Sequence, residues 1–239
     1  MDWTLVNFFG VTSILLAGSL VQAVTGMGGG FIIVPLLALI SYSLVPVPII
    51  FASLFLSSIM LLQGRAHIDG DGMGKIIVGL LCGTAIAAAL VARLPLELMG
   101  ILFASMILLL VGLSIISPKI KLSHKAYFGL GTLSAFMGAT VGIGGPVLAF
   151  IYQRRHGQQI RANLALLYFV GAVIILIGLA SVGKVSMVNL LDGCYLIPGY
   201  CAGLLLAPKL VHIIDKGYAR WCVLAISSIS AIVLLIKSV

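Results

Sequence analysis

Eight stretches of this chain, near residues 4–40, 45–62, 75–92, 97–116, 126–152, 162–180, 187–207 and 220–236, run almost without charged side chains. About 20 apolar helical residues cover the roughly 30 Å of a bilayer's hydrocarbon, where backbone polar groups must find partners within the protein. The expected fold is therefore an all-α integral membrane protein with about eight transmembrane segments. Composition agrees: 62% of residues are hydrophobic and 8% charged, with a mean hydropathy of +1.26, against about 25% charged in soluble domains. The net charge of +8 would point to nucleic acid in a soluble protein. Here the Lys and Arg residues fall in short loops or at segment ends, so the bilayer is the expected partner and nucleic acid is not. A secretory signal ending at Val21-Gln22-Ala23 would lack its basic leading region, so the first segment is expected to stay in place.

Two segments, 4–40 and 126–152, are too long for one crossing, and each carries glycines in its middle. Cytoplasmic loops are enriched in Lys and Arg, which allows the two topologies to be compared. With the 63–75 loop inside and residues 126–152 crossing once, seven basic residues lie inside and seven outside. If the chain turns back at Gly142–Pro146, then Arg154, Arg155, Arg161, Lys209, Lys216 and Arg220 move inside while Lys184 and Lys237 move outside, and the split becomes eleven to three. A hairpin or re-entrant element there is the preferred reading, with a similar fold-back possible in the first segment.

The two breaks repeat one another. Aligning Gly26 with Gly142, an offset of 116, pairs AVTGMGGG with ATVGIGGP, and it also pairs Gly83 and Ala87 with Gly199 and Gly203. Such small-xxx-small spacing lets helices approach closely in lipid. Two repeats follow, residues 1–116 and 117–239. With five elements in each they would be inverted, an arrangement in which substrate binds where broken helices meet near the midplane. Glycines lower helix propensity by about 1 kcal/mol each, and backbone freed within a membrane survives only where protein buries it or water lines it. Segments starting after the breaks, at Phe31 and Val147, would present unpaired N–H groups and a positive dipole end to an anion. Candidate substrate-binding residues are Thr25, Gly26, Gly28, Gly29 and Gly30 at the first break and Thr140, Gly142, Gly144, Gly145 and Pro146 at the second. Gln22 and Gln153 are weaker candidates. Glycines that serve only close packing are the competing reading, and the repetition of the break weighs against it.

Charge within the spans is scarce. Of the six acidic residues only Asp192 lies a turn or more inside a segment, where it reads as an interfacial carboxylate rather than a coupling group. The four histidines are dispersed, so no metal site is expected. No GxSxG, HExxH or GxxxxGK[ST] pattern occurs, so neither an enzyme nor a cofactor is expected.

The GxGGG at Gly26, Gly28, Gly29 and Gly30 with Pro35 after it, and the GxGGP at Gly142, Gly144, Gly145 and Pro146, resemble the TauE/SafE sulfite exporter family of bacterial permeases. FASL (Ala52, Ser53) and RANL (Ala162, Asn163), each opening the next span, add to a resemblance that covers the whole chain. It implies a multi-pass protein of the bacterial inner membrane. Its activity would be secondary transport of a small sulfur-containing anion, sulfite or an organosulfonate, with Ser53 and Asn163 assisting at the site. Asn163 in place of a serine would make the two half-sites unequal. An anion channel using the same elements as a filter is the alternative, and a scaffold within a larger membrane complex is a third reading. Small-residue faces serve intrachain and interchain packing alike, so a homo-oligomer stays open.

Overall fold

The computed structural model describes residues 3–26, 29–93, 96–116, 123–152, 157–214 and 218–238. Among them the regular elements are all helical. The helices are α1 (Leu5–Thr25), α2 (Gly29–Ile40), α3 (Val47–Gly64), α4 (Met73–Arg93), α5 (Leu96–Ile116), α6 (His124–Val141), α7 (Gly145–Tyr152), α8 (Gly157–Ser181), α9 (Met187–Ile214) and α10 (Tyr218–Ser238). Five stretches, Leu5–Thr25, Val47–His67, Met73–Arg93, Gly157–Ser181 and Met187–Lys209, are long and apolar enough to cross a membrane. The expected boundary between residues 116 and 117 adjoins a stretch, 117–122, outside the described residues.

Both overlong segments divide at glycine. α1 opens on the Thr4 hydroxyl, which accepts from the Asn7 N–H, and closes at Gly26 with φ +79°. α6 opens on Ser123, which accepts from the Ala126 N–H, and closes at Gly142 with φ +82°. At each end the glycine N–H returns to the carbonyl four residues earlier, Gln22 or Gly138. A left-handed residue after the last helical turn satisfies an orphan carbonyl, and glycine adopts it without a Cβ penalty.

The chain then folds back. Gly18 of α1 lies against Ile33 and the Gly29 carbonyl of α2, although an unbroken helix would hold residues 18 and 33 about 22 Å apart. The Ser134 hydroxyl of α6 donates to the Gly144 carbonyl at 2.9 Å; ten residues of continuous helix would separate them by about 15 Å. The returning helices begin at Gly29 and Gly145, two residues before the expected Phe31 and Val147. Pro146 causes no break there, because a first-turn proline lacks only an N–H that would be orphaned anyway.

Pro35 falls inside α2, where it has no N–H for the carbonyl four residues back. That carbonyl belongs to Phe31, and the Ser227 hydroxyl of α10 donates to it. A polar residue on the last helix thus makes the proline kink tolerable in an apolar setting.

Packing follows the small residues. α1 lies along α9 and α4 along α6, α3 rests on both α8 and α9, and α5 pairs with α10. Gly199 and Gly203 face Leu15 and Ser19 of α1, and Gly79 and Gly83 meet the α6 backbone at Phe128 and Thr132. Without a hydrophobic driving force between helices in lipid, close backbone approach supplies the dispersion contact. The largest buried cluster gathers around α2, with Ile33 and Leu37 fully enclosed by residues such as Met137, Ile143 and Val147. Leu5, Leu62, Ile177 and Leu205 point outward, each well over half exposed, as a lipid-facing surface requires.

Asp192, in the second turn of α9, is enclosed by protein. It is 4% exposed, and the Trp3 indole N–H donates to its Oδ1 at 2.7 Å. The Trp3 ring also stacks at 4.8 Å on Tyr195, so this carboxylate ties the residue before α1 to α9.

Candidate functional site

The two glycine breaks meet at one cavity of about 100 Å³. α2 brings Gly30 to it, and the break after α6 brings Gly142, Ile143, Gly144, Gly145 and Pro146. Ser53 of α3, Tyr168 of α8 and Tyr200 of α9 complete the polar lining, with Gln22 and Ser134 from the two broken helices. The breaks touch directly: a β-carbon on Gly30 would rest 3.4 Å from Ile143 Cγ2, and one on Gly142 would lie 3.4 Å from Val34 Cγ2.

Tyr168 links them. Its hydroxyl donates to the Gly26 carbonyl at 3.1 Å, and a β-carbon on Gly145 would stand 2.7 Å from the same oxygen. One side chain therefore holds the first break by hydrogen bond and fits the second only because position 145 has no side chain.

Among the described residues no Asp, Glu, Lys, Arg or His lines the cavity. Three of its hydroxyls are already engaged: Ser53 donates to the Ile50 carbonyl at 2.9 Å, Ser134 to Gly144 at 2.9 Å and Tyr168 to Gly26. α7 also offers fewer amides than its place after a break suggests, since Pro146 has none and the Val147 N–H donates to the Gly144 carbonyl at 3.2 Å. An anion here would be held by hydroxyl and amide donors, three of the hydroxyls drawn from internal carbonyls, rather than by countercharge.

Six of the sequence candidates line the cavity: Gly30, Ser53, Gly142, Gly144, Gly145 and Pro146; so does the weaker candidate Gln22. Five lie elsewhere. Thr25 donates to the Val21 carbonyl at 2.8 Å and Thr140 to the Phe136 carbonyl at 2.7 Å, because a helical hydroxyl finds the carbonyl one turn back before it finds a ligand. Gly26 contributes its carbonyl to Tyr168 rather than a wall, and Gly29 packs against Gly18 and Gln22. Asn163, fully buried, accepts from the Asp69 N–H at 2.9 Å and pins the loop before α4. Gly28 and Gln153 lie outside the described residues.

Ser134, Tyr168 and Tyr200 went unrecognised in the sequence. Ser134 carried a signal, since the offset of 116 pairs it with Gly18 on the small-residue face of the first broken helix. The tyrosines carried none, being aromatic residues in apolar runs. Among the described residues no cluster of His, Cys, Asp or Glu could hold a metal ion.

The sequence model of the sulfite exporter TauE/SafE family matches residues 11–234. No curated protein and no solved structure matches the chain. A match over nearly the whole length, on an all-helical chain with lipid-facing sides, makes this a multi-pass membrane protein that belongs to the TauE/SafE sulfite exporter family.

Proposed function

We propose that the protein is a secondary carrier for a compact sulfur oxyanion, sulfite above all, working by alternating access at the cavity between the two breaks. The observation that carries this reading is the meeting of both breaks in one uncharged cavity bridged by Tyr168. Its volume of about 100 Å³ is well below the roughly 300–1,000 Å³ of pockets for drug-sized ligands, which favours sulfite over bulkier organosulfonates.

Two inverted repeats, α1 to α5 and α6 to α10, are part of the proposal. Exchanging the halves turns the α1–α9 pairing into α6–α4 and the α3–α9 pairing into α8–α4, while α3–α8 and α5–α10 map onto themselves; all of these pairs are in contact. In this scheme α1 with α2 and α6 with α7 form fold-back hairpins, each leaving the chain on the face from which it entered, so that each half has an odd number of elements and the 63–75 loop faces the cytoplasm of a bacterial inner membrane. Substrate entry draws the Tyr168 hydroxyl from Gly26 and the Ser134 hydroxyl from Gly144, so binding loosens the contacts that hold the breaks. Occupancy and conformational change are thereby coupled without a titrating side chain.

Counterflow of radiolabelled sulfite, sulfate and an organosulfonate in liposomes tests the reading, with Gly145→Val as control. Saturable sulfite counterflow that the variant loses while remaining folded is the expected result. Flux that never saturates and shows no counterflow would indicate a channel and refute the carrier.

A further inference from the structure

We infer that the protein holds a second oxyanion site, at Arg161 and Gln63, in series with the central cavity. This inference deepens the carrier reading and rests on it for the order of the two sites. A separate cavity of about 500 Å³ opens between the C-terminal ends of α1 and α3, the start of α8 and the later turns of α9. Arg161 and Gln63 line it together with apolar residues such as Ile59 and Leu204, and among the described residues no carboxylate does.

Arg161 has more donors than its protein contacts use. A guanidinium carries five N–H donors and no acceptor, and among the described residues Arg161 gives one bond, from Nη1 to the Val24 carbonyl at 3.4 Å. That bond caps the negative end of α1, a common role for a cation. The rest of the fork has no acidic partner among the lining residues. Planar, bidentate donors suit the oxygens of sulfite or a sulfonate, and Gln63 adds an amide from the facing helix.

Gly26 separates the two cavities. Its carbonyl is held by Tyr168 on the central side, and a β-carbon on it would lie 3.1 Å from Arg161 Cγ on the other. Arg161 and Tyr168 are seven residues apart on α8, about 10 Å along its axis. An anion leaving the central cavity past Gly26 thus reaches the Arg161 guanidinium next. The glycine requirement at position 26 is twofold: φ +79°, and no room for a side chain between these walls.

Equilibrium binding of radiolabelled sulfite to the detergent-purified full chain, free of added lipid, tests the site. Arg161→Gln weakens the apparent Kd about tenfold, the factor expected from one lost charge-assisted hydrogen bond, and Arg161→Lys, which keeps the charge but loses the bidentate fork, falls between the wild type and Arg161→Gln. Gln63→Ala, at an exposed position, weakens binding about threefold and covers the case of a misfolded Arg161 variant. Gly145→Val loses counterflow yet keeps the Arg161-dependent binding. Unchanged affinity in both Arg161→Gln and Gln63→Ala would overturn the inference and leave Arg161 a helix cap that affects only thermal stability; so would complete loss of binding in a folded Gly145→Val. Arg161-dependent binding without counterflow in the wild type would sink the carrier reading and leave the site standing.

Discussion

Replacing Tyr168 by Phe keeps the ring and removes one hydroxyl. That hydroxyl is the donor to the Gly26 carbonyl at 3.1 Å, and Gly26 is buried, so the variant strands an acceptor where water has poor access. A buried group left unsatisfied costs about 1–3 kcal/mol. For a chain of this size each kcal/mol moves the unfolding midpoint by about 2–4 °C, which places the expected drop at about 2–12 °C in purified protein. The same hydroxyl is a proposed donor to substrate, so the sulfite KM should rise about fivefold or more in counterflow. A second variant makes the test sharper. Gly145→Ala sets a β-carbon 2.7 Å from the Tyr168 hydroxyl oxygen and should displace the same bond, so the double variant should lose about as much as the worse single one. Residues sharing an interaction are non-additive, while independent sites add to within about 0.5 kcal/mol. An unchanged midpoint and KM in Tyr168→Phe, or strict additivity with Gly145→Ala, would refute the claim that this hydroxyl couples the breaks.

Three further outcomes are expected. Gly30→Ala places its methyl at an ordinary 3.4 Å from Ile143 Cγ2, so the protein should accumulate normally while organosulfonate flux falls more than sulfite flux; equal loss of both in uptake assays would contradict the size argument. Ser227→Ala orphans the Phe31 carbonyl that Pro35 already leaves without its helical partner, lowering stability by about 1–3 kcal/mol in thermal unfolding, whereas Ser227→Thr retains the donor and should be milder. Asp192→Asn keeps an acceptor for the Trp3 indole, so counterflow should retain its pH profile; Asp192→Ala loses the bond and should destabilise by about 1.5–3 kcal/mol. A flattened pH profile in Asp192→Asn would assign that carboxylate to coupling.

The ends of α1 and α6 were legible because their cause is local: a left-handed helix terminus selects glycine, and the sequence offers Gly26 and Gly142 where two apolar runs are too long. The small-residue faces were legible for a similar reason, since Gly83, Gly199 and Gly203 leave room for a neighbouring backbone. The hydroxyl partners were not legible, because the carbonyl one turn back competes with any ligand for the same donor. Thr25 and Thr140 bond their own helices, and residue type alone cannot distinguish that from a ligand contact. Arg161 looked like a loop residue because the apolar run starts at 162, yet α8 begins at Gly157 and carries it against Gly26. Tyr168 and Ser227 lie 142 and 196 residues from the carbonyls they serve. Only the folded chain brings those pairs together.

Those distant pairs share a chemistry that bears on mechanism. Each helix interruption frees carbonyls, and a hydroxyl from another helix covers one: Tyr168 for Gly26, Ser134 for Gly144, Ser227 for Phe31. An anion needs donors and competes for the hydroxyls that line the cavity, Tyr168 and Ser134, while Ser227 on the outer helix does not line it and is left in place. On the carrier reading, substrate therefore weakens the two contacts at the hinges and spares the one that braces α2 against α10. The hinges are chemically unequal, because the offset of 116 sets Gln22 against Gly138 and Gly18 against Ser134. One break meets the anion with an amide, the other with a hydroxyl already bonded across its own turn. Releasing that hydroxyl takes free energy that the amide side does not require, so the two half-cycles of such a carrier would differ in affinity although the pairing of the helices is nearly symmetric.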